Sequence, residues 1–233
     1  MGKLLFRYGT MGSSKSAHLL MTAYNFEEKG KHPILMKPSI DTRDGSKISS
    51  RIPGLEKDCI MIKPEDSIMN LLNTKANSVM KFLGFTEGDP QRLIFENSDG
   101  SRTTIDPAFI PDDPKYYEVI KEPILIDEAQ FLTEYQVEQL AELADSGHFV
   151  ICYGLRTAAS TRMFEGSKRL FELADTLEEL KSMCECGSKT IFNARIREDG
   201  TINPNPSSTV DIGGNDKYKS VCRKCFRVKS KVL

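Results

Sequence analysis

The chain has 233 residues, 39% hydrophobic and 28% charged, the make-up of a soluble globular protein of one or two domains. Its formal net charge of -1 gives no electrostatic basis for holding nucleic acid or an anionic membrane. No run is long and apolar enough to span a bilayer, and the N-terminus lacks the charged-then-apolar layout of a secretion signal, so a cytoplasmic location is expected.

Lys3–Tyr8 reads as a buried first strand. Gly9-Thr10-Met11-Gly12-Ser13-Ser14-Lys15-Ser16 follows, and Ser16–Lys29 reads as a helix stopped by Gly30. This strand–loop–helix nearly fits the phosphate-binding pattern G-x-x-x-x-G-K-S/T, in which backbone N–H groups cradle phosphates, the Lys reaches their oxygens and the hydroxyl holds Mg²⁺. Ser14 stands where the second Gly is expected, and carries strain if that position needs positive φ.

Pro33–Met36 is a short second strand, Lys37–Arg51 a polar loop and Asp58–Ile62 a third apolar run. Ile68, Leu71, Leu72, Val79, Phe82 and Leu83 recur at helical spacing, which predicts a helix over Asp66–Leu83 capped by Asp66 or Ser67. Gly84–Lys121 is rich in Gly, Pro, Asp and Ser, with weak strand signals at Arg92–Phe95 and Arg102–Ile105. A loop that long is unusual inside a compact domain, so it reads as an insertion: a hairpin and a Pro-rich return.

Pro123–Ile126 is a fully apolar strand, as a covered parallel sheet requires. Thr133–Ser146 is an amphipathic helix closed by Gly147, and Phe149–Tyr153 is the next strand. The alternation predicts an α/β fold, a parallel sheet flanked by helices of the P-loop NTPase type. After Leu180 aliphatic density falls, which predicts a boundary between a larger α/β domain over 1–180 and a second, small domain over 181–233.

Asp127-Glu128 directly follows an apolar strand. In phosphoryl-transfer sites of this architecture an Asp there binds Mg²⁺ opposite the hydroxyl of the phosphate loop, here Ser16. Cys184-x-Cys186 and Cys222-x-x-Cys225 form two close pairs, the pattern of a four-thiolate structural zinc site in a segment with little core of its own. Cys59 and Cys152 lie in apolar strands and read as core.

Several stretches together resemble the type II thymidine kinases. They are Gly9–Ser16, Asp41-Thr42-Arg43, Ile126–Phe131, Tyr153–Thr157, Phe164-x-Gly166-Ser167 with Ala174-Asp175, and Ile212-Gly213-Gly214-x-x-Lys217-Tyr218 before the second cysteine pair. The resemblance covers nearly the whole chain except Gly84–Lys121. It implies ATP on Gly9, Thr10, Met11, Gly12, Ser13, Ser14, Lys15 and Ser16, with Arg51 reaching toward the phosphates and Gln130 among the nucleotide-holding residues. Glu128 would be the general base for the 5′-hydroxyl of a deoxypyrimidine nucleoside, thymidine above all. Asp127 and Ser16 would hold Mg²⁺.

The resemblance also implies that Phe131 packs on the nucleoside. Backbone groups of Thr209, Val210, Asp211, Ile212 and Gly213 would grip the pyrimidine, and Tyr218 would hold the nucleoside. Met11, Leu155 and Asn193 would shape the pocket at the base's 5-substituent, and the assembly would be a homotetramer. Ala158-Ala159 replaces an Asp-Phe of bacterial members, and Asp211 an apolar residue, so an altered base preference is a second expectation. A nucleic-acid-directed ATPase with a zinc ribbon is disfavoured by the balanced charge, and a silent nucleotide-binding regulator by the presence of both Lys15 and Glu128.

Overall fold

The computed structural model describes residues 2–72, 80–85, 93–97, 102–105, 122–204 and 217–230. The chain divides into two compact units, Met1–Glu65 with Pro123–Leu233, and Asp66–Glu122.

The larger unit is built on six parallel strands: β1 (Lys3–Gly9), β2 (Ile34–Pro38), β5 (Ile60–Ile62), β9 (Ile124–Ile126), β10 (Phe149–Leu155) and β11 (Thr176–Leu180). Their order across the sheet is β11-β1-β10-β9-β2-β5. All three residues of β9 are fully buried, which explains their unbroken aliphatic run. Helix α1 (Lys15–Glu27) lays Leu19, Leu20 and Ala23 against Leu5, Leu35, Leu125 and Ile151. The turn that follows the helix closes at Gly30, whose φ of +72° suits a residue without a Cβ. Helix α2 (Glu134–Asp145) starts from a capping box between Thr133 and Gln136 and buries Val137, Leu140 and Leu143.

One strand of this unit lies inside the span read as a polar loop, and its partner reaches only the first residue of the third apolar run. Strand β3 (Lys47–Ser49) pairs antiparallel with β4 (Glu56–Asp58). Three-residue strands are too short to carry a period, so pairing rather than propensity defines them. Helix α3 (Glu165–Leu173) leads into β11. Beyond it, β12 (Phe192–Ile196) pairs antiparallel with β13 (Ile202–Asn203) and with β14 (Tyr218–Val221), and helix α4 (Arg223–Ser230) follows. Cys184, Ala194, Ile202, Val221, Cys222 and Phe226 form the small core of this ribbon.

The second unit corrects one expectation. Helix is present over 68–72, but Met80–Phe85 is a strand, β6, within the span predicted to be helical. It pairs antiparallel with β7 (Leu93–Asn97), with a register shift between Phe82 and Gly84, and β7 pairs with β8 (Arg102–Ile105). Phe82 and Leu83 fit either period over so short a run, and the neighbouring strand decides the outcome. The hairpin expected from the weak strand signals is β7–β8; the Pro-rich return lies outside the described residues.

Candidate active site

Strands β1, β2, β9 and β10 end on one edge of the sheet, and the loops that follow them build one cleft of about 520 Å³. This is the edge at which open α/β sheets bind ligands.

The loop after β1 is tightly wound. A Cβ on Gly9 would stand 2.3 Å from Ser13 Oγ and 2.5 Å from the Leu180 carbonyl oxygen, so no larger residue fits there. Gly12 has φ +74°, and Ser14 has φ 60° and ψ 27°. The second-glycine position therefore does need a left-handed backbone, and a serine supplies it under strain. Lys15 begins α1 with its side chain buried, its Nζ donating to the Thr10 carbonyl at 2.8 Å. Burial lowers its pKa, opposed by Glu128 and Asp127.

The acidic pair faces this loop. Asp127 follows β9, buried, with its N–H donating to the Met36 carbonyl at 3.0 Å. Burial and the Glu128 charge push its carboxyl upward, while a hydrogen bond from Ser16 works against them. Ser16 of the phosphate loop and both carboxylates of the acidic pair line the same cleft. Glu128 has a left-handed φ of 50°. Its carboxylate accepts from Arg43 Nη2 at 2.6 Å and from Gln130 Nε2. Gln130 Oε1 in turn accepts the Leu155 N–H at 2.9 Å, and a Cβ on Gly154 would come within 2.9 Å of that oxygen. Gln130 therefore ties Glu128 to the end of β10.

Behind Arg43 runs a chain of charges without an assigned role in the sequence reading. Arg43 grips Asp41 through Nε at 2.7 Å and Nη2 at 3.1 Å, and Lys37 Nζ lies 3.7 Å from the same carboxylate. Lys37 is 1% exposed and also donates to the Lys47 carbonyl at 2.9 Å, which holds β3 beside the cleft. Burial would raise Asp41, but the paired Arg43 and the nearby Lys37 carry it below the usual carboxylate range. The Asp41 hydrogen bond and the Glu128 charge raise Arg43 above its ordinary value. The signal for this chain was present in the sequence: three charges within seven positions at the carboxyl end of an apolar strand.

Arg51 borders the phosphate loop, its Nη1 3.8 Å from where a Gly12 Cβ would stand. Met11, Phe131, Leu155, Asn193 and Tyr218 all line the cleft, whereas Thr209, Val210, Asp211, Ile212 and Gly213 lie outside the described residues. Phe131 meets Phe164 edge to face, with ring centroids 5.5 Å apart. Ala158, Ala159 and Phe164 line the same cleft.

The sulfurs of Cys184, Cys186, Cys222 and Cys225 all lie within 4.8 Å of one another. Zn–S bonds of about 2.3 Å place tetrahedral ligands roughly 3.8 Å apart, so this donor set fits zinc. The Cys225 N–H points at Cys222 Sγ, 3.4 Å away, and Gly187 turns the first knuckle at φ +83°. Cys152 is buried in β10 as expected of a core residue, whereas Cys59 lies between β4 and β5, half-buried against the main core; burial raises both thiols.

The family model for thymidine kinase matches residues 2–89 and 114–226. A thymidine kinase of Rhodopirellula baltica is 36% identical over 97% of this chain and 89% of its own length. One of Haemophilus influenzae is 33% identical over 98% of both chains, and one of Photobacterium profundum 36% identical over 97% of both. The chain belongs to the thymidine kinase family. The matched residues include the phosphate loop, the acidic pair and all four clustered cysteines. Among the described residues no helix is long and apolar enough to cross a membrane.

Proposed function

We propose that this chain transfers the γ-phosphoryl group of ATP to the 5′-hydroxyl of thymidine. The observation that carries the reading is one cleft lined by Ser16, Asp127, Glu128 and Lys15, with Asp127 and Lys15 buried. Nucleotide phosphates would take the N–H groups of Gly9–Ser16, the positive end of α1 and the cations Lys15 and Arg51. Ser16 and Asp127 would hold Mg²⁺, which would neutralise phosphate charge as the phosphoryl group is transferred.

Glu128 accepts the proton of the 5′-hydroxyl. Arg43 and Gln130 fix both of its oxygens, and each oxygen retains a lone pair for that proton. Because phosphoryl transfer needs little covalent help, this positioning and the surrounding charge supply most of the catalysis. Phe131 and Phe164 form an apolar wall for the nucleoside, with Tyr218, Leu155 and Asn193 around it. Cys184, Cys186, Cys222 and Cys225 would hold zinc as a staple for the ribbon. ATP-dependent release of ADP, measured with and without thymidine, tests the reading; release that does not depend on nucleoside would refute it.

Ala158 and Ala159 support a second reading, in which the pocket admits 5-substituents larger than methyl. A panel of 5-substituted deoxyuridines should then be phosphorylated as well as thymidine, and Ala159→Phe should restore the preference for thymidine. Thymidine turned over far better than every analogue by the wild-type chain would exclude it.

A further inference from the structure

The ribbon does more than close over a nucleoside: its side chains grip the phosphate loop. Asn193 on β12 and Ser220 on β14 are directly opposite partners in the antiparallel pair. Cross-strand partners project to the same face. Asn193 Oδ1 accepts the Met11 N–H at 2.7 Å, and Ser220 Oγ donates to the Met11 carbonyl at 2.6 Å. One rung of the ribbon thus holds both polar groups of one loop residue. The Asn193 amide also donates to the Thr157 carbonyl at 3.2 Å, which fixes its orientation.

The neighbouring loop residue is held in the same way. Thr10 Oγ1 lies 2.7 Å from both Ser182 Oγ and Thr190 Oγ1, and these two hydroxyls bond each other. Thr10, Thr190 and Asn193 are all buried, so a lost partner would leave a desolvated polar group behind. Two of the anchors stand next to the cysteine knuckles. Ser182 is two residues before Cys184, and Ser220 is two residues before Cys222. A metal that fixes the knuckles therefore fixes the anchors.

We infer that the cysteine ribbon is a positioning element for the phosphate loop, and that Ser220 and Thr190 set the affinity for the nucleotide through Met11 and Thr10. This rests on the reading of Gly9–Ser16 as the ATP loop. Neither residue belongs to the phosphate loop: Ser220 acts on its backbone at Met11, and Thr190 on the Thr10 hydroxyl.

The test is titration of the zinc-loaded full chain with a fluorescent ATP analogue and Mg²⁺, without nucleoside. Ser220→Ala is expected to weaken binding about five-fold, the factor corresponding to one hydrogen bond of ~1 kcal/mol. Thr190→Val should act in the same direction, and Ser220→Thr, which keeps the hydroxyl, should bind like wild type. Withdrawal of zinc by a chelator should weaken the same binding signal. Lys15→Ala is the control for the loop: analogue affinity unchanged in that variant would reject the loop reading itself. If Lys15→Ala weakens binding while Ser220→Ala and Thr190→Val do not, the positioning inference is overturned. It is overturned equally if Ser220→Thr is as impaired as Ser220→Ala. Thermal melting of each variant identifies any that misfold, and Thr190→Val then stands in for Ser220→Ala.

Discussion

Replacing Ser14 by glycine should stabilise this protein, and the structure sets the size of the gain. Ser14 occupies the left-handed region, its side chain is exposed, and it makes no capping hydrogen bond to α1 although it is the residue before that helix. A left-handed backbone costs a residue with a Cβ about 1–2 kcal/mol. Glycine removes that term but adds about 0.5–1 kcal/mol of unfolded-chain entropy. As the serine hydroxyl makes no capping bond, only a few tenths of a kcal/mol are at stake on that account. With the middle of each range, the net is a gain of about 0.5 kcal/mol, or an increase in Tm of roughly 1–2 °C for a domain of this size. Differential scanning calorimetry of Ser14→Gly against wild type measures it, with ATP-analogue affinity as a check that the loop is intact. A Tm equal to or below that of wild type would refute the reasoning. It would mean either that the loop is not left-handed at Ser14 or that the serine makes a compensating contact.

Three further outcomes follow from the site. Glu128→Gln should lower kcat about 10²–10⁴-fold with ATP-analogue affinity retained, because it removes the proton acceptor and keeps the shape; unchanged turnover would remove Glu128 from the mechanism. Metal analysis of the purified chain should find zinc, and chelation should make the four clustered thiols reactive and abolish hydrogen-exchange protection of β12 and β14; protection that survives metal loss would make the staple dispensable. In the fold Asp41 has a pKa below its unfolded value, so its stabilisation is present above about pH 3.9 and is lost as pH falls further toward the folded pKa. The urea-midpoint deficit of Asp41→Asn should therefore hold constant from about pH 8 to about pH 5, and a deficit that already narrows over that range would contradict the pairing.

The parts of this molecule that were legible in the sequence are those in which chemistry and chain position coincide. Gly9–Ser16 and Asp127-Glu128 each place their functional groups within a few residues, directly after an apolar strand, and both stretches line one cleft. The cysteine pairs were legible for the same reason. What could not be read depends on partners supplied from elsewhere. Met80–Phe85 becomes a strand because β7 pairs with it. The bond from Arg43 to Glu128 spans 85 positions, and the bond from Ser220 to Met11 spans 209. No local period encodes contacts of that range.

Backbone strain points to the same place as the chemistry. Among the described residues Ser14, Glu128 and Thr161 are the non-glycine residues with positive φ, and the first two sit in the phosphate loop and the acidic pair. Such conformations persist only where the surroundings over-determine them. Glu128 is held by Arg43 and Gln130, and each of those is anchored in turn, to Asp41 and to the Leu155 N–H. The loop bearing Ser14 is held through Thr10 and Met11 by the ribbon. Both strained residues line the cleft, and separate sets of hydrogen bonds fix the loop and the acidic pair. Loosening either set should therefore relax the backbone before it disturbs the core.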